Sequence, residues 1–248
     1  MHYLKPNWPA PASVKAYTTL RTGGYSKAPY DSFNLSVASG DDAEAVAKNR
    51  QQLKHELHLS QEPAWLQQMH GTNVVCADSV NSLFPPQADA SWTIVPGIPC
   101  AVLTADCLPL LLCDDQGLQV AAVHAGWRGL ASGVIEATFA QLKGLSSTWL
   151  AWLGPAIGPA VFEVGEEVRE QFVRADAQAA LAFKSFTRQK WLADIYLLAK
   201  QRLARLGITR IYGGEYCTWS DSERFYSYRR DAGKTGRMVS VIWIDSRF

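Results

Sequence analysis

No CxxC pair occurs among the five cysteines of this 248-residue chain, and five is an odd number. A disulfide framework pairs an even set and a zinc ribbon needs paired cysteines, so the pattern reads as reduced thiols in a cytoplasm. Histidine is equally scarce: His2, His55, His58, His70 and His124. Charge of neither sign dominates. Charged residues make up 19% and the net charge is +1, which argues against disorder and against bulk attraction to nucleic acid or an acidic membrane. No apolar run approaches the ~20 residues of a membrane span. The N-terminal MHYLKPNWPAPASV lacks the apolar core of a signal peptide. A cytoplasmic protein with no nucleic-acid or membrane partner is expected, and composition leaves its oligomeric state open.

Hydrophobic residues reach 48%, with nine Trp, enough for a sizeable core. No repeat, low-complexity tract or long linker divides the chain, so residues 1–248 read as one domain. Periodicity predicts strands at Val14–Thr22, Ala64–Gln68, Asn73–Ala77, Ala88–Ile94, Cys100–Ala105, Leu108–Cys113, Leu118–His124, Trp149–Leu153, Arg210–Cys217 and Met238–Ile244. It predicts helices from GDDAEAV, with Asp41 and Glu44 at capping-box spacing, and over Trp127–Leu142, Gly165–Arg174 and Ala193–Leu206. Strands come in clusters with helices between them. The expected class is α+β, a mixed sheet or sandwich flanked by helices.

Three residues carry the strongest chemical signal. His70 in QMHG, Cys107 in TADCLPLL and His124 in VHAGWRG each read as ending a strand beside a chain-turning residue. If the ends converge they form a His2Cys set, and three protein ligands with one open position is the usual catalytic zinc arrangement. A metal-free alternative uses Cys107 as nucleophile and His124 as its base. His55 and His58 read as a solvated helix end. Pro109 predicts a bend or bulge rather than a continuous central strand.

Arg50 falls on the first helix's apolar stripe with Ala43, Val46, Leu53 and Leu57, so it is expected to reach an anionic site or a buried carboxylate. Arg128, after Trp127, opens a helix whose N-terminus would face an anion. Asp106 can orient its neighbour or cap a strand end. SYRRDAGKTGR packs Arg229, Arg230, Lys234 and Arg237 into nine residues, a candidate phosphate grip. GPAIGP is a rigid turn without the GK[ST] ending of a phosphate-binding P-loop.

RTGGYSKAPYDSFNLSVASGDD, QMHG, TADCLPLLL, VHAGWRG, LGPAIGPAVFEVG and YSYRRDAGKTGR, in that order, resemble the YfiH family, over about Thr18 to Ile244. This is the family also labelled laccase-domain or multicopper polyphenol oxidoreductase, purine nucleoside phosphorylase and peptidoglycan editing factor. The resemblance implies a mixed β-sandwich surrounded by helices, related to deamidating-toxin-type cysteine hydrolases. It implies Zn2+ (with copper possible in vitro) at His70, Cys107 and His124. It also implies phosphorolysis of adenosine, inosine, guanosine or methylthioadenosine with phosphate, and deamination of adenosine. Catalytic residues would be Cys107, His124 and His70; substrate-binding residues would be Arg50, Asn34, Trp127, Arg128 and Arg230. Two alternatives stand beside this: an editing hydrolase that removes misincorporated L-Ser from a UDP-sugar conjugate, and a binding protein with structural zinc. Polyphenol oxidation is disfavoured, because a multicopper centre needs more histidines than five.

Overall fold

A computed structural model describes residues 3–247, which form three sheets and five α-helices. The first sheet runs β1 (Tyr3–Leu4), β2 (Val14–Thr19), β13 (Met238–Ile244), β5 (Cys100–Thr104), antiparallel throughout. The second is mixed. Its order is β12 (Arg210–Gly213), β8 (Trp149–Leu153), β6 (Leu108–Asp114), β7 (Val120–Ala125), β4 (Ala90–Thr93), β3 (Val74–Cys76), with parallel pairs at both edges. A third, small sheet joins β9 (Glu163–Gly165), β11 (Lys190–Ala193) and β10 (Phe183–Thr187).

Side-chain alternation stacks these sheets into layers. Val102 and Ile242 of the first sheet meet Leu111, Ala122 and Trp152 of the second in one apolar cluster, so the two sheets face each other. The second sheet's opposite face, with Leu110, Leu112, Val123 and Leu153, is covered by helices α2 (Trp127–Ser132), α3 (Val134–Phe139), α4 (Glu166–Ala175) and α5 (Ile195–Arg205). The first sheet's outer face, with Val239 and Val241, packs on Phe33, Leu35, Trp65 and Leu53 of α1 (Ala43–Glu56). The result is a sandwich with helices on both outer faces. Strands β6, β7 and β8 are buried on both sides, which is why they read as continuous apolar runs rather than alternating ones.

The chain departs from the periodicity in identifiable places. Ala64–Gln68 is no strand: Gln68 turns its side-chain amide onto Leu103, accepting from its N–H and donating to its carbonyl, and only isolated bridges remain. Trp127–Leu142 is two short helices, broken at Gly133 where φ is 97°. Helix α1 is capped by Asp42, not Asp41; its carboxylate accepts from the N–H groups of Glu44 and Ala45. The buried face of α1 carries Ala45, Val46, Asn49 and Leu53, while Ala43 is exposed. Strand β2 stops at Thr19, and β12 stops at Gly213, where two successive positive-φ glycines turn the chain. Pro109 lies inside the central strand β6 opposite His124. It is tolerated because pairing with β8 begins only at Leu110.

Candidate metal centre

The site lies at one end of the layer between the two large sheets. On β7, Val120 and Ala122 point into that layer, and His124 has the same parity. Cys107 arrives because the chain crosses from β5 of one sheet to β6 of the other through the bend Ala105–Cys107. Asp106, the middle of that bend, has φ 87° and is held by three donors: the hydroxyls of Thr218 and Ser227 and the backbone N–H of Arg229. It therefore ties the bend to the C-terminal loops. His70 does not end a strand. It sits in a loop at φ 60° between the Gln67 bridge and β3.

Asp89, just before β4, draws these pieces together. Its Oδ1 accepts from the His70 backbone N–H at 2.9 Å and lies 2.8 Å from His124 Nδ1. Its Oδ2 accepts from the N–H groups of Gly71 at 2.7 Å and Met69 at 3.2 Å. The register Ala90↔Val123 sets Asp89 beside His124. Burial alone would raise the Asp89 carboxyl. The hydrogen bonds from His124 and Gly71 and the charge of His124 outweigh burial and hold it below the usual carboxylate range. With Nδ1 so engaged, His124 turns Nε2 toward Cys107.

One donor atom from each of His70, Cys107 and His124 lies within 4.8 Å of the others, and Cys107 Sγ is 3.8 Å from His70 Nε2. A tetrahedral zinc with N and S ligands sets its donors roughly 3.3–3.8 Å apart, so the set suits such an ion after a small contraction. Glycine keeps the site open. A Cβ on Gly126 would come within 2.8 Å of the His70 ring and 3.1 Å of Cys107 Sγ. A Cβ on Gly129 would strike the Gly71 carbonyl at 2.7 Å. The two glycines of GWRG thus let the start of α2 pass against the ligand loop.

The donors are electrostatically prepared. Burial pushes the Cys107 thiol up, but the charge of His124 and hydrogen bonds from His124 and His70 bring it down to about 6. Burial works against the His124 imidazolium, but the Cys107 thiolate and Asp89 raise it to about 9. Cys100 and Cys113, by contrast, are pushed up to about 12 by burial. With metal chelated away, alkylation of Cys107 by iodoacetamide should therefore rise through pH about 6 as the thiolate forms. A midpoint near the ordinary thiol value of ~8.5 would contradict this electrostatic reading.

The other sequence candidates stand as follows. Arg50 stacks over Trp65, with its Cζ 3.9 Å from the ring centroid, and Nε donates to the Leu35 carbonyl. Asn34 is fully buried and committed. Its amide donates to the Ser36 carbonyl, Ser39 and Asp41, and its oxygen accepts from the N–H groups of Ser36 and Arg237. Arg230 pairs with Asp231 and donates to the carbonyls of Thr218, Trp219 and Phe225. Trp127 is half-buried against the helix-side core, and the exposed Arg128 lies over its ring. His55 and His58 stand exposed near the end of α1, and His2 lies outside the described residues. Two residues that bear on the site carried no signal of their own. Asp89 is one acid without a motif, and Tyr196, buried on α5, fixes the GPAIGP turn through the Ala156 N–H and the Gly154 carbonyl.

The sequence model of the family described as multi-copper polyphenol oxidoreductase laccase matches residues 15–245. The chain belongs to this family. It is 52% identical over 243 residues to a Pseudomonas aeruginosa protein named purine nucleoside phosphorylase PA4543, covering 98% of each chain. It is 49% identical over 241 residues to an Escherichia coli protein named purine nucleoside phosphorylase YfiH, covering 97% of this chain and 98% of that one. Among solved structures, Neisseria meningitidis NMB0706 superposes with a TM-score of 0.96 at 46% identity, over 99% of this chain and all of that one. YlmD of Geobacillus stearothermophilus does so with a TM-score of 0.90 at 27% identity, over 99% and 97%. The family description speaks of several coppers. Among the described residues, His70, Cys107 and His124 form the one group of three potential ligands. No helix of the described residues is long and apolar enough to cross a membrane.

Proposed function

We propose that the chain is a zinc-dependent purine nucleoside enzyme that cleaves adenosine, inosine, guanosine or methylthioadenosine with phosphate and also deaminates adenosine. The observation that carries this reading is the set of His70, Cys107 and His124, braced by Asp89 and kept clear by Gly126. It stands in a chain about half identical, over nearly its whole length, to relatives named purine nucleoside phosphorylases. His70, Cys107 and His124 would hold the zinc, which when bound supplies a Lewis acid beside the substrate. Copper suits the same imidazole and thiolate donors in vitro.

In phosphorolysis a phosphate oxygen bonds to C1′ of the ribose and the C1′–N9 bond breaks. The electron pair leaves with the purine, which takes up a proton, and ribose 1-phosphate remains. In deamination water adds at C6 of adenosine and ammonia leaves, giving inosine. Asp89 serves both arms by fixing which nitrogen of His124 faces the site. Trp127, one residue beyond Gly126, supplies an aromatic wall. The bend held by Asp106 brings Cys107 to the floor.

A metal-free second reading draws on the Cys107–His124 pair, with its thiol brought down to about 6 and Asp89 behind the imidazole. One experiment separates the two. Zinc-loaded protein is incubated with adenosine, and in parallel with inosine, guanosine and methylthioadenosine, each with and without phosphate, before and after chelation. Phosphate-dependent adenine and ribose 1-phosphate, or inosine, lost on chelation, is the expected result. Turnover that survives chelation transfers the chemistry to Cys107 as nucleophile. No product from any of the four nucleosides defeats the nucleoside reading and makes a UDP-sugar–serine conjugate the next substrate.

A further inference from the structure

Among the described residues, five half-buried arginines pair with a carboxylate within 4.0 Å, among them Arg202 with Glu136 and Arg230 with Asp231. Two half-buried arginines, Arg50 and Arg237, have no such partner. Arg50 spends its charge on the Trp65 ring and its Nε on Leu35. Arg237 also lies over a ring, with its Cζ 5.4 Å from the Tyr228 centroid, but its place in the fold differs. It immediately precedes β13, where Met238 pairs with Thr104 of β5, so it stands across from Ala105 at the entry to the Cys107 bend. Its backbone N–H is held by Asn34 at 2.9 Å, and the preceding Gly236 packs so closely on Tyr226 and Asn34 that a Cβ there would sit 2.6 Å from the tyrosine ring.

The side chain is anchored on one arm only. Nη1 donates to the carbonyls of Thr235 at 2.7 Å and Gly236 at 3.0 Å. Among the described residues Nε and Nη2 find no acceptor, and neither belongs to the sealed, unpaired polar atoms of the interior. That open Nε–Nη2 edge is the face with which a guanidinium grips an oxyanion through two parallel hydrogen bonds. The position of Arg237 across from Ala105, two residues before Cys107, puts it at the edge of the candidate metal centre, and burial holds the guanidinium pKa below its ordinary value despite the opposing charges of Cys107, Tyr228 and Asp106.

We propose that the Nε–Nη2 edge of Arg237 is the seat of inorganic phosphate, holding the attacking oxyanion beside the site formed by His70, Cys107 and His124. This deepens the phosphorolysis reading and rests on it for the identity of the reaction. Asn34 and Gly236 act as positioning residues: they fix the backbone from which Arg237 reaches.

The test uses the full-length, metal-loaded protein and the variants R237Q, R237K and R50Q, each checked for metal content and Tm. Phosphorolysis of inosine is followed against phosphate and against nucleoside separately. In R237Q the KM for phosphate is expected to rise about 10- to 100-fold while the KM for inosine stays within about twofold. R237K should fall between, because a lysine keeps the charge and loses the fork. A folded, metal-loaded R237Q with an unchanged phosphate KM, or with both KM values raised together, overturns the assignment. So does R50Q raising the phosphate KM where R237Q does not. Calorimetric titration with inorganic phosphate alone separates this failure from that of the functional reading. If the wild type cleaves no nucleoside, phosphate binding lost in R237Q still supports the seat, and no binding to the wild type refutes it.

Discussion

Replacing Cys107 by alanine should leave the fold intact, strip the protein of its metal and reduce nucleoside cleavage to background. The fold should survive because Cys107 is half-buried in a bend whose hydrogen bonds belong to Asp106, not to the thiol. The metal should go because the variant removes the one thiolate of three donors. A structural zinc site is worth about 10–16 kcal/mol over four ligands, so one ligand accounts for roughly 3–4 kcal/mol, or two to three powers of ten in affinity. An open site with three protein donors starts weaker and has less to lose. Metal content after dialysis, measured by atomic emission, and ribose 1-phosphate release are the two readouts. A variant that retains stoichiometric metal and full turnover would sink the three-donor reading.

What the sequence disclosed of this site followed from local punctuation. His124 and Cys107 sit where an apolar run meets Gly or Pro, and such junctions mark where a sandwich opens to solvent. Asp89 had no such mark. Its importance comes from the β4–β7 register, a long-range pairing that no local window contains. The arginines show the same limit. The helical stripe singled out Arg50, but α1 turns Asn49 inward instead, and its amide holds the 26–34 loop through Ser26, Ser32 and Asn34. The sequence did place Arg237 in a candidate phosphate grip, but as one of four cations; its open Nε–Nη2 edge depends on surroundings assembled from residues around positions 34, 105 and 228. The Phe183–Ala193 hairpin escaped because most of β10 faces solvent, leaving no apolar run or alternation to read. The break at Gly133 was missed because the stripe Leu130, Val134, Ile135, Thr138 continues across it.

Asp89→Ala is expected to be the most damaging single change that removes no proposed metal ligand. One carboxylate there accepts four hydrogen bonds, three from the 69–71 backbone and one from His124. Alanine leaves the buried His124 Nδ1 without a partner and releases the loop that carries His70. Breaking a buried, hydrogen-bonded charge pair from one side costs about 3–5 kcal/mol. Part of this is recovered here because His70 is exposed and its loop can bind water, so about 2–4 kcal/mol is the expected loss. In a chain of this size that lowers Tm by about 5–15 °C. Metal affinity should fall about 10- to 100-fold, since His124 loses the partner that fixes its orientation. The stability deficit should also depend on pH, and Asp89 itself sets the acid side. The folded pKa of Asp89 lies below its unfolded value of about 3.9, so its contribution is complete above that pH and fades as acid protonates the folded carboxylate. The Tm values of wild type and variant should therefore differ most near neutrality and converge below pH about 4. Asp89→Asn sharpens the argument: its one acceptor oxygen can replace Oδ1, which takes His124 and the His70 N–H, or Oδ2, which takes the N–H groups of Gly71 and Met69, but not both, and it carries no charge. If Asp89→Asn matched the wild type in both Tm and metal content, the carboxylate's role in gathering the site would be refuted.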